Sequence, residues 1–262
     1  MRFLPMLMIA GVVSVGVEYM NARLGGGDFH YSLWSIFLGL SGFSHWLSTD
    51  LIINNPMWYI SVLLFCYMIF FWVTYFARRL KILPYYMYFV CIAAGLRMQF
   101  LEALPFCNTF LSRGLICFFF GLILRRLIEK YHLADSPKFV IGAMVFLIAF
   151  VALYILRYKY VEYGLYYTLC FLVFPAIIII FKSKVVTGLC RYVAFKEYVG
   201  GVSFNVYMWH CPMLIFSKIM ISYFNIDLGK VWIMLLWTLG IYLVGTISYF
   251  VIERPIDKKL FR

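Results

Sequence analysis

Residues 57–81 read MWYISVLLFCYMIFFWVTYFARRLK, an uncharged run from Met57 to Ala77 closed by Arg78-Arg79-Leu80-Lys81. About 20 mostly apolar residues suffice to cross a bilayer as a helix. A Lys/Arg cluster at the end of such a run marks its cytoplasmic side. This stretch therefore predicts a membrane span that leaves the bilayer on the inside at 78–82.

Similar runs lie near 3–20, 83–104, 105–124, 139–156, 163–181, 199–222 and 230–252, which makes about eight candidate spans. The run at 83–104 is the weakest, because its apolar stretch ends at Leu96 before Arg97 and Glu102. Charge placement supports it: Arg78-Arg79 and Arg125-Arg126 belong on one side, so the chain between them crosses an even number of times. With both termini cytoplasmic, sixteen of the 23 Lys and Arg residues fall inside and five outside, while Arg113 and Lys218 fall within spans. The expected fold is all-α, a polytopic membrane helix bundle, read as one domain over residues 1–262. Arg2 and the run behind it also fit a signal peptide, but Pro5 interrupts its start, Glu18 sits near its end and no A-x-A-like site follows.

Composition excludes the main alternatives. Hydrophobic residues make up 65% of the chain and charged residues 13%, with mean hydropathy +0.91, too apolar for a soluble domain. The net charge of +12 is dispersed in short clusters between apolar runs, a topology signal and not a nucleic-acid-binding face. Seven cysteines without a CxxC pair read as packing residues. No metal-spaced His/Cys cluster, phosphate loop or serine-hydrolase elbow is present. The long segment 21–56 is placed outside, and its apolar piece Tyr31–Phe43 is too short to span, which suits a re-entrant or interfacial helix.

Polar groups inside the membrane are costly and point to function. In Gly200-Gly-Val-Ser203-Phe-Asn-Val-Tyr207-Met-Trp-His210-Cys-Pro212, helical spacing puts Ser203, Tyr207, His210 and Lys218 on one face. His210 lies near mid-membrane, where a neutral imidazole serves as a general base or proton relay, or as an interhelical hydrogen-bonding group. Pro212 frees the carbonyl one turn earlier and predicts a kink that lines a cavity. Arg113 calls for a carboxylate or water, with Glu18, Glu102 and Asp50 as candidates, or snorkels to headgroups. Glu253, before Arg254-Pro255, is either an acid/base partner or an interfacial boundary residue. Asn54-Asn55-Pro56-Met57-Trp58-Tyr59 reads as a turn and an aromatic anchor.

Three of these stretches together resemble the acyltransferase 3 family of bacterial inner-membrane acyltransferases: Asn55-Pro56-Met57-Trp58-Tyr59-Ile60-Ser61, Ser203-Phe204-Asn205-Val206-Tyr207-Met208-Trp209-His210-Cys211-Pro212, and Glu253-Arg254-Pro255. Arg113 ahead of Phe118-Phe-Phe-Gly121 is similar to a further family feature. The resemblance implies transfer of an acyl group, acetyl first among them, from acyl-CoA as co-substrate to a hydroxyl of a cell-surface polysaccharide or glycolipid. On that reading His210 and Glu253 are the catalytic candidates, and Trp58, Tyr59, Arg113, Ser203 and Tyr207 line the substrate. Arg2, Arg78, Arg79, Arg125 and Arg126 are the cations open to CoA phosphates. No bound cofactor or metal is expected.

Family members carry two further helices, the first with the His considered catalytic; Arg2-Phe3-Leu4-Pro5 looks like the turn into the third helix. The chain is therefore expected either to be inactive as given or to work with what those helices supply. Ser41-Gly42-Phe43 matches a second-helix motif but follows Arg2–Pro5 and is read as coincidence. The alternative function is a non-enzymatic glycolipid binder or flippase-like protein.

Overall fold

The computed structural model describes residues 4–25, 27–47, 53–54, 56–101, 104–156, 165–191, 196–224 and 231–260. Among these the regular elements are all helical, and β pairing is confined to an isolated bridge between Leu104 and Cys107. In chain order they are α1 (Leu4–Arg23), α2 (Leu33–Ser41), α3 (Ser44–Leu47), α4 (Met57–Arg79), α5 (Pro84–Met98), α6 (Thr109–Tyr131) and α7 (Pro137–Leu156). There follow α8 (Leu165–Thr168), α9 (Phe174–Lys182), α10 (Lys184–Arg191), α11 (Lys196–Phe224), α12 (Val231–Ser248) and α13 (Arg254–Leu260). Short π-helical segments, Leu169–Val173 and Tyr249–Glu253, join α8 to α9 and α12 to α13.

Among the described residues, five helical stretches are long and apolar enough to cross a membrane: Pro5–Arg23, Met57–Arg79, Pro137–Leu156, Leu165–Lys182 and Val231–Lys259. The other three expected spans are helical but differ for physical reasons. α5 has 15 residues, roughly 22 Å at ~1.5 Å per residue, against a hydrocarbon core of ~30 Å. α6 carries Arg113, Arg125, Arg126, Glu129 and Lys130 along its length. α11 is 29 residues long, and its apolar run is diluted by Ser203, Asn205, His210 and Lys218.

The short apolar piece within 21–56 forms a helix, α2. Ser32 caps α2 by accepting from the backbone of Ser35, whose hydroxyl returns to the Ser32 N–H, a reciprocal capping box. Gly42 ends α2 at φ 80°, a left-handed conformation that a Cβ would strain, and the chain turns at once into α3.

The π-helical segments share a setting. Each lies two residues ahead of a proline, Pro175 or Pro255, which lacks an N–H and crowds the carbonyl one turn back. In each, the N–H of the residue before the proline reaches five residues back: Phe174 N–H bonds to Leu169 O, and Arg254 N–H to Tyr249 O. Such bulges recur at functional sites, and here they carry Cys170 and Glu253.

The chain forms two compact units: Met1–Met68, Met98–Leu111 and Glu197–Arg262 in the first, Ile69–Arg97 and Ser112–Lys196 in the second. Lipid tails are as apolar as leucine, so packing and hydrogen bonds hold membrane helices together. In the first unit Met6, Leu7 and Ala10 of α1 pack with Met57 and Ile60 of α4 and with Met208 of α11. α12 closes on α11 at Gly245, where a Cβ would sit 2.7 Å from Val206 Cγ2 and 3.0 Å from the Val206 backbone nitrogen. In the second unit Ser112 Oγ of α6 donates to the Gly95 carbonyl of α5 at 2.7 Å. Leu124, Ile128 and Ala134 form its buried cluster with Ile179 of α9 against them.

Candidate active site

α11 runs through Pro212 without breaking. The proline leaves the Met208 carbonyl without its helical N–H, and Asn54 Nδ2 donates to that oxygen at 3.0 Å. The predicted freed carbonyl is therefore capped by a side chain from the turn before α4. Asn54 is 2% exposed, and its Oδ1 has no hydrogen-bond partner among the described residues. Asn55 lies outside the described residues.

His210 sits on the same turn, with Nδ1 2.6 Å from the Tyr207 carbonyl oxygen. A carbonyl only accepts, so Nδ1 carries the proton in neutral imidazole and Nε2 keeps its lone pair. Nε2 faces Cys211 Sγ at 3.3 Å. That is the tautomer a general base or a hydrogen-bond acceptor for a hydroxyl requires.

Aromatic rings extend from this histidine. His210 packs on Tyr207 at 5.5 Å between centroids, and Tyr207 meets Tyr59 edge-on at 6.3 Å. Tyr59 contacts Trp58, Trp58 contacts Phe110 at 5.5 Å, and Phe110 meets His45 at 4.7 Å. Trp58, Tyr59, Tyr207 and His210, named from sequence, thus form one line. Ser203 points elsewhere: it is exposed and its hydroxyl donates to the Gly200 carbonyl at 3.0 Å.

His45 terminates that line and was missed by the sequence reading, which left it in an external loop. It is fully buried. Its Nδ1 lies 3.0 Å from Ser44 Oγ, its N–H donates to Ser61 Oγ at 3.3 Å, and its carbonyl accepts from Asn108 Nδ2 at 2.7 Å. Asn108 Oδ1 in turn caps α6 by accepting from the N–H groups of Phe110 and Leu111. Burial lowers the His45 pKa to about 4, so the ring is neutral at neutral pH. Its Nε2 has no partner among the described residues.

Glu253 is buried at 5% exposure in the second π-helical segment. Asn205 Nδ2 donates to its Oε2. Ser248 Oγ lies 3.3 Å from Asn205 Oδ1 and 3.2 Å from Met6 Sδ. This network ties α1, α11 and α12 together, with Glu253 as a buried polar anchor. Asn205 stood in the quoted motif, yet its two-residue offset from Ser203 and Tyr207, about half a helical turn, put it on the other face and concealed its role.

In the second unit, Arg113 is exposed and its guanidinium lies over the Tyr166 ring at 5.2 Å from the centroid. An aromatic face meets the guanidinium; of the carboxylates expected there, Glu102 and Asp50 lie outside the described residues. Tyr166 Oη donates to the Arg113 carbonyl at 3.3 Å and lies 3.2 Å from Cys117 Sγ. Cys117 Sγ is also 3.1 Å from Cys170 Sγ. The two cysteines stand 53 positions apart, and nothing in their spacing pairs them.

Of the candidate phosphate ligands, Arg78, Arg79, Arg125 and Arg126 are exposed, and Arg2 lies outside the described residues. Arg125 Nε pairs with Glu129 at 2.9 Å, a contact that holds the Glu129 carboxyl below its ordinary range. No cluster of three or more metal-ligating side chains occurs among the described residues.

A family model described as an acyltransferase domain (Acyl_transf_3) matches residues 1–254. With the apolar helices, that match defines the class, a membrane acyltransferase. The chain belongs to the acyltransferase 3 family. No curated protein and no solved structure matches it.

Proposed function

We propose that the protein transfers an acyl group, acetyl in the first instance, from acyl-CoA to a hydroxyl of a cell-surface polysaccharide or glycolipid at the bacterial inner membrane, with both termini cytoplasmic. The carrying observation is His210, whose Nδ1–H is fixed on the Tyr207 carbonyl so that Nε2 is the acceptor nitrogen, shared with the Cys211 thiol at 3.3 Å, beside Tyr207 and Tyr59. In the reaction the acceptor oxygen bonds to the thioester carbon, the carbon–sulfur bond breaks, and the hydroxyl proton passes through a base to the departing CoA thiolate. A positioned base contributes about 10²–10⁴-fold.

The family resemblance gives the base to a first-helix histidine without a counterpart in these 262 residues. His210 then holds the acceptor or acyl carbonyl in place, and it serves as base only where the chain acts alone. Glu253 acts through Asn205 by fixing α11, which makes it a positioning residue. Trp58, Tyr59 and Tyr207 form the substrate wall, with Ser203 and Arg113 as outlying candidates. Arg2, Arg78, Arg79, Arg125 and Arg126 meet the CoA phosphates, to which Arg offers charge-assisted paired hydrogen bonds.

The test supplies membranes containing the protein with radiolabelled acetyl-CoA and a lipid-linked glycan fraction. It is run with the 262-residue chain and with a form extended by the family's two preceding helices. Alkali-labile label in the glycan is the expected result, from the extended form at least. Glycan binding or translocation without label in either form would favour the non-enzymatic glycolipid reading.

A further inference from the structure

Cys211 reads in the sequence as one packing residue among seven cysteines, but its thiol stands beside a base. Its Sγ lies 3.3 Å from His210 Nε2. The His210 Nδ1–H is spent on the Tyr207 carbonyl at 2.6 Å. Nε2 therefore holds a lone pair, and the thiol is the donor in its contact with that nitrogen. A thiol within reach of a base, with the base's other nitrogen held by a third group, is the arrangement of an activated nucleophile. Both side chains are half-buried, so neither is sealed from a substrate. They stand at the end of the aromatic line that runs from Tyr59 through Tyr207.

Cys117 stands in a different setting. Its neighbours are the Tyr166 hydroxyl at 3.2 Å and the Cys170 thiol at 3.1 Å, groups that ordinarily hold their own protons at neutral pH. A cysteine next to an imidazole lone pair is chemically distinct from one next to a phenol and a second thiol.

We propose that Cys211 is a covalent acyl carrier, with His210 as its proton partner. The inference rests on the acyl-transfer reading and divides its single displacement into two. In the first, His210 Nε2 takes the thiol proton and the Cys211 sulfur bonds to the acyl carbonyl carbon. The bond from that carbon to the CoA sulfur breaks, and the departing CoA thiolate takes the proton from His210. One thioester replaces another, so no further co-reactant enters. In the second, the acceptor oxygen bonds to the same carbon and the bond to the Cys211 sulfur breaks. The hydroxyl proton passes through a base to the Cys211 thiolate. The family's first-helix histidine serves that second step, or His210 where the chain acts alone. CoA and glycan then never need to be bound together.

The experiment incubates the purified protein, in the 262-residue and the extended form, with radiolabelled acetyl-CoA and no glycan, followed by acid quench and peptide mass spectrometry. One acetyl group on the Cys211 peptide, released by neutral hydroxylamine as a thioester, is the expected result. Cys211→Ala and the near-isosteric Cys211→Ser should both abolish it. A thiol of ordinary pKa, ~8.5, is about 3% thiolate at pH 7, so His210→Gln should slow acetylation about 30-fold there and about twofold at pH 8.5. The Tyr207 phenol, which also lies near this thiol, keeps its proton over that range, so the profile reads the thiol. A His210 that only packed the helix would give a loss that does not change with pH. Adducts spread evenly over the other cysteines, or no adduct on Cys211 in either form, would overturn the proposal. Glycan label without that adduct would overturn it alone and leave the acyl-transfer reading standing. Acetylated Cys211 in a protein that labels no glycan would keep the carrier and remove the glycan as its acceptor.

Discussion

Asn54 Nδ2 lies 3.0 Å from the carbonyl oxygen of Met208, the oxygen that Pro212 deprives of a helical N–H. The two residues stand 154 positions apart, so a defect local to α11 is repaired by the turn that opens α4. In a membrane an unsatisfied carbonyl has no water to turn to. The repair lets α11 keep its proline and hold Tyr207 and His210 on a fixed turn.

Removing the donor and the proline together tests that account. Asn54→Ala should destabilise the protein by about 1–3 kcal/mol, the cost of leaving a buried polar group unpaired. In a Pro212→Ala background the restored N–H reaches Met208 itself, and Asn54→Ala should then cost distinctly less. Thermal unfolding in detergent of the four proteins measures the coupling; additive effects would show that Asn54 does not serve the proline-freed carbonyl.

The Asn205–Glu253 pair gives a second expectation. Asn205→Leu removes a donor from a buried carboxylate and should lower stability by about 1–3 kcal/mol. Glu253→Gln keeps an oxygen for Asn205 and should be milder than Glu253→Ala. The same unfolding assay ranks the three; equal losses for Gln and Ala would mean that shape, and not the hydrogen bond, matters at position 253.

His45 predicts a pH dependence with a definite sign. Its folded pKa of about 4 lies below the unfolded value of roughly 6.5. Between these values the unfolded chain binds the extra proton, so stability is fully present above pH ~6.5 and falls as pH drops toward ~4. Unfolding midpoints measured across that window should decline for the wild type, and the His45→Gln protein should lose that part of the slope. An unchanged slope in the variant would assign the acid sensitivity to other groups.

Much of this was legible in the sequence because it is local. Apolar runs predicted the long helices, the short run at 31–43 predicted a helix too short to span, and Pro212 announced a free carbonyl. The polar cluster around His45 was not legible, because His45 is buried by Ser61 and Asn108, sixteen and sixty-three residues away. α5 ends at Met98, earlier than charge alternation required, since that rule counts crossings and says nothing about helix length. Cys117 and Cys170 look like ordinary apolar positions until a π-helical segment turns one toward the other.

That cysteine pair supplies a direct check on the packing of α6 against the segment Leu169–Val173. With the thiols 3.1 Å apart, copper–phenanthroline should convert them to a disulfide within the chain. Mass spectrometry of the unreduced protein should show peptides around Cys117 and Cys170 joined, and Cys170→Ser should abolish the product. Cross-linking of Cys117 to any other cysteine would contradict this packing.

The central claim is that His210, held by Tyr207, supports acyl transfer from within the membrane. The direct measurement is the rate of labelled acetyl transfer to the glycan by wild type and by His210→Gln, in the form that shows activity. A supporting group predicts slower but measurable transfer, a loss smaller than the roughly 10²–10⁴-fold of a removed general base, with unfolding unchanged. Wild-type rates from the His210→Gln protein would contradict the claim and make this histidine a packing residue.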